Sequence, residues 1–443
     1  MSADQVERIL AEIERGDPIL GRWAEMAADG LTAGEGEEVL TQAAIQDFLW
    51  YRLPAKYPDE TWLPIARAAV VLLERLGFDR YASIAGSETT TAVLQSWREG
   101  DARGLSRYHA AAEASGVKPP DTDFLGWGSV MGMDEVSAYA LVETQLEEAI
   151  VAGELVPGAP GWKSRAASLT EQVLLRPAPQ AGGRTWRQLV LEERRTTWVK
   201  TAYPEGLRRW RAAHLDLLDG PPEPPEDLEP VLGPMRWLLE TCRDGAQLTQ
   251  SGYLSPTIVR DGVERFDWWD WPGQPRSEAD VHQLGSLRET AARLRLVTRR
   301  GHRLMTSRHG VALLTNPPGL WRSIAATIGA TDEYASLLSE LIAHRLVDGP
   351  AVDNELEESI VPIVAAQGWQ SGGRPVDERH VALSIHRPLY FWRLFGLLDE
   401  VRPPWRDGHP TGQNVTSLTA AGRATALEYL RARATAPRRS LRT

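Results

Sequence analysis

Residues 287–314 read LRETAARLRLVTRRGHRLMTSRHGVALL. The order is a helix, a basic hairpin and the start of another helix. Leu284, Leu287, Ala291 and Leu294 recur at helical spacing. Residues 296–298 and 303–306 can pair as strands about 299–302, and Ser307 can cap the helix that follows. Over 287–310 seven arginines (288, 293, 295, 299, 300, 303, 308) stand against Glu289 alone, a local charge of +6 in a chain that carries −11. A reversal of that size in one short segment points to a surface made to meet a polyanion.

The composition bounds what surrounds it. A chain of 443 residues is long enough for three or four domains of about 100–200 residues each. Hydrophobic residues at 42% and charged residues at 25% fit an ordinary globular protein. The net charge excludes a protein that coats nucleic acid with its whole surface. One cysteine, Cys242, excludes an intramolecular disulfide and a four-thiolate zinc site. The start, MSADQVERIL, lacks the basic and apolar parts of a signal peptide. The longest apolar runs, such as 69–73, fall short of the roughly 20 residues of a spanning helix. The reading is a cytoplasmic protein in a reducing compartment with no membrane partner. Four lysines (56, 118, 163, 200) stand against 45 arginines, as a GC-rich genome favours, so arginine clustering counts and abundance does not. The 17 tryptophans are scattered, as core anchors are.

Residues 1–218 read as helical, with no period-2 strand pattern. Residues 4–15 form a short amphipathic start. Residues 37–53 carry Val39, Leu40, Ile45, Phe48, Leu49 and Trp50 and should stop before Pro54. Residues 61–76 form an apolar helix closed by Gly77. Ser87 caps a helix running to Trp97, and Asp134 caps a longer one. In the latter, Tyr139, Val142, Leu146 and Ile150 form one stripe, Glu143 and Glu147 face water, and Gly153 closes the helix. The stretch PAPQAGG (177–183) is a break that splits this half in two near 177–184. The stretch DGPPEPPEDLEP (219–230) sets five prolines among acidic residues; it cannot hold a helix and marks the main boundary.

Beyond it, 231–330 reads as one small module and 331–443 as a second with a basic tail. In the first, 235–243 form a helix, 248–249 a short strand and 255–266 a second helix with Pro256 at its first position. Ser277-Glu278-Ala279-Asp280 reads as a capping box with Asp in the usual place of Glu, opening a third helix that begins with Val281. Asn316-Pro317-Pro318 stops the helix after Ser307. Near the C-terminus the pattern recurs: an apolar helix over 388–398, a strand from 399–403, a polar loop over 405–413, a strand at 415–418, a Thr419 cap and a helix over 421–431. Ser307-x-x-Gly310 and Thr419-x-x-Gly422 occupy the same place in the two copies. Two copies do not make a solenoid.

The segment 248–314 resembles the winged-helix class of helix-turn-helix proteins in element order and wing chemistry. LTQSGYLSPTIVRDG (248–262), RSEADVHQLGSLRETA (276–291) and the hairpin resemble an uncharacterised family of high-GC bacteria. IQDFLWYRLP (45–54) and FDRYASIAGSETTTAVL (78–94) resemble it too, so that the likeness covers about two-thirds of the chain. It supplies no activity. The winged-helix class implies duplex binding by analogy, and many of its members bind proteins instead. The expected fold is mainly α: a helical N-terminal half plus two tandem winged-helix units with small β-hairpins.

In a helix-turn-helix protein the third helix enters the major groove and the wing touches backbone or minor groove. With the apolar stripe inward, Gln283, Ser286, Thr290 and Arg293 lie on the opposite face, where Gln and Arg can bond base edges. Arg299, Arg300 and Arg303 mark the wing tip, and Arg308 follows. Five arginines each neutralising a phosphate would give log affinity against log salt a slope of about −4.5. Glu278 and Asp280 at the start of the helix weigh against groove entry unless they only cap its dipole. The same surface also reads as protein-facing, or as a solvated face closing a small domain.

Other clusters read as structure. Over 386–431 the second module balances six arginines (387, 393, 402, 406, 423, 431) against Asp399, Glu400, Asp407 and Glu428, for +2. Tyr390, Phe391, Trp392 and Phe395 cannot all face one small core; they are buried on two sides, against the helical half or a sister subunit, or form an interface for another chain. Trp268-Trp269-Asp270-Trp271-Pro272 could stack single-stranded bases, but Asp267 and Asp270 flank the rings, so it reads as a loop folded on the core. Arg433, Arg438, Arg439 and Arg442 belong to a tail read as a disordered end.

Enzyme signals are poor. Residues 158–164 lack the Gly-Lys and glycine spacing of a phosphate loop. Residues 128–132 are not a nucleophile elbow, because Trp127 stands where glycine is needed. His380 and His386 do not share a helical face, and no carboxylate completes a site with His302 and His309. Cys242 reads as a packed helix residue, and Glu355, Glu357 and Glu358 as a solvated helix start. The chain is therefore read as a non-enzymatic DNA-binding regulatory protein without cofactor or metal. It contacts duplex DNA through the first winged helix, and its N-terminal half senses, oligomerises or recruits. The alternative is a protein–protein interaction or scaffold module in a larger assembly.

Overall fold

The computed structural model describes residues 3–32, 40–179, 181–220, 223–269, 271–371, 373–406, 409–410 and 413–439. They are mainly helical, with small antiparallel sheets. The chain divides into two compact units, Met1–Glu193 with Pro437–Thr443, and Arg194–Ala436. The division lies ahead of the proline-rich stretch 219–230, where the sequence places it. The stretch begins fastened to the second unit: Arg195 pairs with Asp219 at 2.6 Å, and Arg431 donates to the Leu218 carbonyl. It ends in the first turn of a helix, at Glu229 and Pro230, where the missing proline N–H loses nothing. Pro221 and Pro222 lie outside the described residues.

The first unit contains α1 (Ala3–Gly16), α2 (Pro18–Thr32), α3 (Gln42–Asp47), α4 (Leu53–Lys56), α5 (Asp59–Arg75), α6 (Asp79–Ala85), α7 (Glu88–Arg98), α8 (Asp101–Ser115), α9 (Met133–Val151), α10 (Trp162–Leu174) and the start of α11 (Trp186–Lys200). Among its described residues there is no strand, only an isolated bridge between Pro177 and Thr185 across the expected break; Gln180 of that break lies outside them. Ile65, Ala69 and Leu73 of α5 pack with Phe48, Leu49 and Trp50. Gly77 and Gly153, at φ 80° and 74°, follow α5 and α9 as left-handed closers. The Ser87 hydroxyl accepts from the Thr90 N–H at the start of α7.

Three expectations here fail. Pro54 does not end its helix. Phe48–Arg52 widens into a π turn, which relieves the ring's clash with the preceding turn, and the chain continues into α4. Residues 37–39 of that stretch are not described. Asp134 does not cap α9: Gly132 is the cap residue, and the Glu193 carboxylate accepts from the Asp134 and Glu135 N–H groups at 3.2 and 3.1 Å. Nor do Glu143 and Glu147 face water. Val142 and Leu146 are buried as expected, but so is Glu147, which accepts from Arg80 at 2.6 Å and from the Tyr81 hydroxyl at 2.9 Å. A carboxylate beside an apolar stripe is buried when a distant cation reaches it, and helical periodicity does not record that reach.

In the second unit, α12 (Glu205–Ala213) precedes two modules of one plan. The first runs α13 (Glu229–Thr241), β1 (Ala246–Gln247), α14 (Pro256–Phe266), α15 (His282–Arg293), β2 (Val297–Arg300), β3 (Arg303–Thr306), α16 (Arg308–Leu314) and α17 (Pro317–Ala325), with sheet order β1-β3-β2. The second runs α18 (Glu333–Val347), β4 (Ala351–Val352), α19 (Asp353–Ala366), a small hairpin of β5 (Gln370–Ser371) and β6 (Arg374–Pro375), and α20 (Glu378–Leu394). It continues with β7 (Leu398–Val401), β8 (Trp405–Arg406), β9 (His409–Pro410), β10 (Val415–Leu418) and α21 (Ala420–Thr435), and its sheet order is β4-β10-β7. In each, a short strand after the leading helix pairs with the last strand of the hairpin.

Several boundaries move. β1 lies two residues before the expected strand. The capping box of Ser277 and Asp280 forms, but it closes a single 3-10 turn ahead of α15. Asn316 both follows α16 and caps α17, accepting from the Gly319 N–H at 3.1 Å with Pro317 and Pro318 in the first turn. α20 starts ten residues early because Asp377 caps it, accepting from the His380 N–H at 2.8 Å. Pro388 then sits inside the helix, between buried Ile385 and Phe391, where packing on both sides offsets one lost backbone bond. Residues 407, 408, 411 and 412 of the polar loop are not described.

The two hairpins are entered and left by the same contacts. Arg295 (φ 56°) and Gly396 (φ 63°) both turn left-handed. The next N–H groups, of Leu296 and Leu397, return to the Ala291 and Trp392 carbonyls at 2.8 and 3.0 Å. Ser307 and Thr419 donate their N–H groups to the carbonyls of those same leucines, and their hydroxyls accept from Gly310 and Gly422 at 3.0 and 2.9 Å. A Cβ on either glycine would collide with the Leu296 or Leu397 carbonyl. The paired Ser-x-x-Gly and Thr-x-x-Gly thus have one cause.

A shared core joins the modules. Phe391, Trp392 and Phe395 of α20 are buried with Trp321 of α17 and Tyr429 of α21, and the Trp321 indole donates to the Thr425 hydroxyl at 3.0 Å. The aromatic helix is buried on two sides, but its second partner is the first module rather than the helical half or a sister subunit. Trp268 stacks on Phe266 at 4.8 Å between ring centroids, whereas Trp271 is 74% exposed; Asp270 lies outside the described residues.

Buried charge sits at the centre of the second module. Glu340 of α18 is inaccessible and takes Arg211 at 2.6 Å and Arg433 at 3.2 Å. Burial pushes its carboxyl up, but Arg211 and Arg433 more than offset this and hold it below the ordinary carboxylate range. His344, one turn on, is pushed down to about 3 by burial and meets His214 at 2.8 Å. Arg433 is therefore a helical residue held by Glu340 and not part of a loose tail. The Arg438 carbonyl accepts from the Ser129 and Val130 N–H groups of the first unit, and Arg442 is not described.

Candidate nucleic-acid interface

The basic segment is carried by a hairpin with a two-residue turn. Val297 faces Thr306, Thr298 faces Met305, Arg299 faces Leu304 and Arg300 faces Arg303, with Gly301 at φ 59° in the turn. Val297 and Leu304 are buried and anchor the hairpin, while Arg299, Arg300, His302 and Arg303 are exposed. Arg300 and Arg303 oppose each other directly, a like-charge pair that is unfavourable by itself. Among the described residues no carboxylate pairs with Arg295, Arg299, Arg300, Arg303 or Arg308; the Arg299 Nε donates to the Gly301 carbonyl at 3.0 Å. Arg308 is exposed at the start of α16. The hairpin is a cationic surface without internal neutralisation.

The helix ahead of it is another matter. Gln283 and Ser286 are half-buried, and Ser286 lies against the hydroxyl of Tyr390 on α20, which burial pushes up to about 12. Thr290 is buried and spends its hydroxyl on the Ser286 carbonyl at 2.9 Å. Arg293 donates to the Ala330 and Thr327 carbonyls at 2.8 and 3.3 Å, and burial lowers its guanidinium below the usual value. The face expected to meet bases is thus engaged at three of its four positions, with Ser286 against α20 of the second module. A helical wheel drawn for one module cannot include its neighbour. The signal that could have warned of this is the all-round apolar run at 390–395, which needs a second partner.

Two of the seven arginines are thus internal. Arg293 holds carbonyls, and Arg288 pairs with buried Glu278 at 2.9 Å while donating to the Gly252 carbonyl at 2.6 Å. Burial pushes the Glu278 carboxyl up, opposed by the Leu254 N–H it accepts and by Arg288. Glu278 therefore opposes no phosphate. On the second hairpin Glu400 draws in Arg393 at 2.6 Å and Arg402 at 3.8 Å, so that surface is partly neutralised.

Catalytic groupings are sparse. Cys242 is buried, and burial pushes its thiol up to about 12, far from a nucleophilic thiolate. Among the described residues no group of His, Cys, Asp or Glu is arranged to hold a metal ion, and no helix is long and apolar enough to cross a membrane. Lys163, in the stretch set against a phosphate loop, pairs with Glu113 at 2.6 Å. Comparison with family models, with curated proteins and with solved structures gives no match.

Proposed function

We propose that the two modules are tandem winged-helix units and that the first binds the backbone of duplex DNA through its hairpin, in a cytoplasmic, non-enzymatic regulatory protein. The winged-helix reading is supported by the sequence helix, strand, helix, helix, hairpin in both modules and by the matching sheet orders β1-β3-β2 and β4-β10-β7. The observation that carries the DNA reading is the set Arg299, Arg300 and Arg303 on an exposed hairpin, with Arg308 at the helix start that follows, none paired with a carboxylate among the described residues. Base reading by Thr290 and Arg293 is not part of the proposal, because those side chains are engaged inside the unit, nor is base reading by Ser286, which is half-buried beside Tyr390. Contact with backbone alone gives affinity and salt dependence with little sequence preference.

Fluorescence anisotropy with a random duplex tests this. Four neutralised phosphates predict a slope of about −3.6 in log affinity against log salt. Replacing Arg299, Arg300 and Arg303 together by alanine should bring the slope to about −0.9. A flat salt response in the unaltered protein would defeat the reading. The packing of α15 on α20 favours a second reading, in which these units build protein interfaces. It predicts no duplex binding and a salt-resistant complex with another chain.

A further inference from the structure

The first unit encloses a cavity of about 1020 Å³ whose wall the DNA reading does not use. It lies among α3, α8, α9 and α10 and the segments around 118 and 127. The volume suits a drug-sized ligand. Its wall sets the aromatic side chains of Tyr108, Tyr139, Trp127 and Trp162 around Asp47 and Glu143, and it also carries Glu113 paired with Lys163, Asp121 accepting from the Trp127 N–H, Lys118 and Arg439. Trp127 and Tyr139 meet edge to face at 5.0 Å. Asp47 is already engaged by Arg52 at 2.8 Å and faces the Tyr108 hydroxyl at 3.4 Å. Glu143 has no hydrogen-bond or ion-pair partner among the described residues, although it is only partly exposed.

We propose that this cavity is a binding site for a small organic cation, an amine carried on an apolar or aromatic body, with Glu143 as its counter-ion. The chemistry that selects this class is the combination of ring faces, which attract an ammonium group, with a carboxyl that lacks an internal partner. A carboxylate ligand would be repelled by Asp47 and Glu143, an effect that Lys118 and Arg439 on the same wall oppose. A neutral ligand of the same shape would fill the aromatic part and leave Glu143 unpaired.

The groups that face Glu143 make binding depend on pH. Burial, then Asp47 and Glu147, push its carboxyl up to about 7, with Lys118 opposing. The hydroxyls of Tyr108 and Tyr139 also face it and stay protonated in this range, pushed up to about 12 and higher still. A cation favours the ionised carboxylate, so affinity should rise from pH 6 to pH 8 and the complex should take up fewer protons than the free protein. The gain is up to about tenfold, because the ionised fraction climbs from about a tenth to about nine-tenths.

Isothermal titration of the full chain at pH 8 with tryptamine, phenethylamine and agmatine, alongside tryptophol and indole-3-propionate, tests the proposal. At least one amine should bind, tryptamine at least tenfold more tightly than tryptophol or indole-3-propionate. Glu143→Gln, which keeps the shape, should erase the preference for amine over alcohol and the rise between pH 6 and 8. Ala140→Leu, on the exposed edge of the cavity and favourable to helix, should block amine binding with unchanged thermal stability. Binding by none of the three amines, equal binding of indole-3-propionate, or an amine preference that survives Glu143→Gln would each overturn the assignment. None of these readouts involves DNA.

Discussion

The two modules of the second unit share a backbone plan and place their charge in opposite ways. The first has an apolar leading helix, α13, whose Leu238 and Leu239 are inaccessible, and among the described residues it leaves five arginines without a carboxylate on its hairpin side. The second puts Glu340 and His344 inside its leading helix, α18, and answers them with Arg211, Arg433 and His214, while Glu400 quiets its hairpin. The difference teaches that the repeat is one of backbone contacts, and that side-chain charge is free to serve the interior in one copy and the surface in the other. Charges buried in pairs are structural, because removing one partner strands the other. Charges left unneutralised in water have no folding role to explain them.

The largest effect that can break this comparison is at Glu340. Glu340→Ala leaves Arg211 and Arg433 without their carboxylate and should cost about 3–5 kcal/mol in urea unfolding. Alanine at Arg299, Arg300 and Arg303 together should stay within about 0.5 kcal/mol of the unaltered protein per site. Comparable losses at both places would erase the distinction.

Next come the two glycines. Gly310→Ala and Gly422→Ala both drive a Cβ into the carbonyl that receives the hairpin's closing N–H, so each should lose about 1–3 kcal/mol, read from thermal unfolding. If only one is sensitive, the shared contact geometry does not act alike in the two copies. The left-handed pair gives a smaller effect of opposite sign. Arg295→Gly should stabilise by about 1 kcal/mol, and Gly396→Ala should destabilise by a similar amount.

His344 supplies a pH effect confined to the second module. Its folded value, about 3, lies below the ordinary 6.5, so the unfolded chain binds the proton more readily. Its contribution to stability is complete above pH 6.5 and declines as pH falls towards 3. Between pH 6.5 and 4.5 it should cost about 1.4 kcal/mol per unit, and His344→Gln should flatten that slope in unfolding measured across pH.

Much of this plan was legible beforehand because it rests on local chemistry. Ser307, Thr419 and Ser87 cap helices by one-residue rules, Gly77 and Gly153 close them, and a hairpin is expected from strands at 296–298 and 303–306, although its first strand extends to Arg300 and its turn is only Gly301 and His302. What escaped depends on distant partners. Glu147 reads as solvated until Arg80, 67 residues away in the chain, is brought to it. Thr290 and Arg293 read as an outer face until the Ser286 carbonyl and the Thr327 and Ala330 carbonyls take up their polar groups. The cavity around Glu143 is assembled from segments spread between residues 41 and 166 together with Arg439, and no local pattern announces it. The wing arginines were legible for the converse reason: among the described residues they have no distant partner to be missed.

The salt dependence of duplex binding in two matched variants is the most direct test of the contrast between the hairpins. One variant replaces Arg299, Arg300 and Arg303 by alanine; the other replaces Arg393 and Arg402 of the second module. The account predicts that the first loses about 2.7 units of slope in log affinity against log salt and that the second changes little. Equal losses in both, or a slope near zero in the unaltered protein, would contradict it.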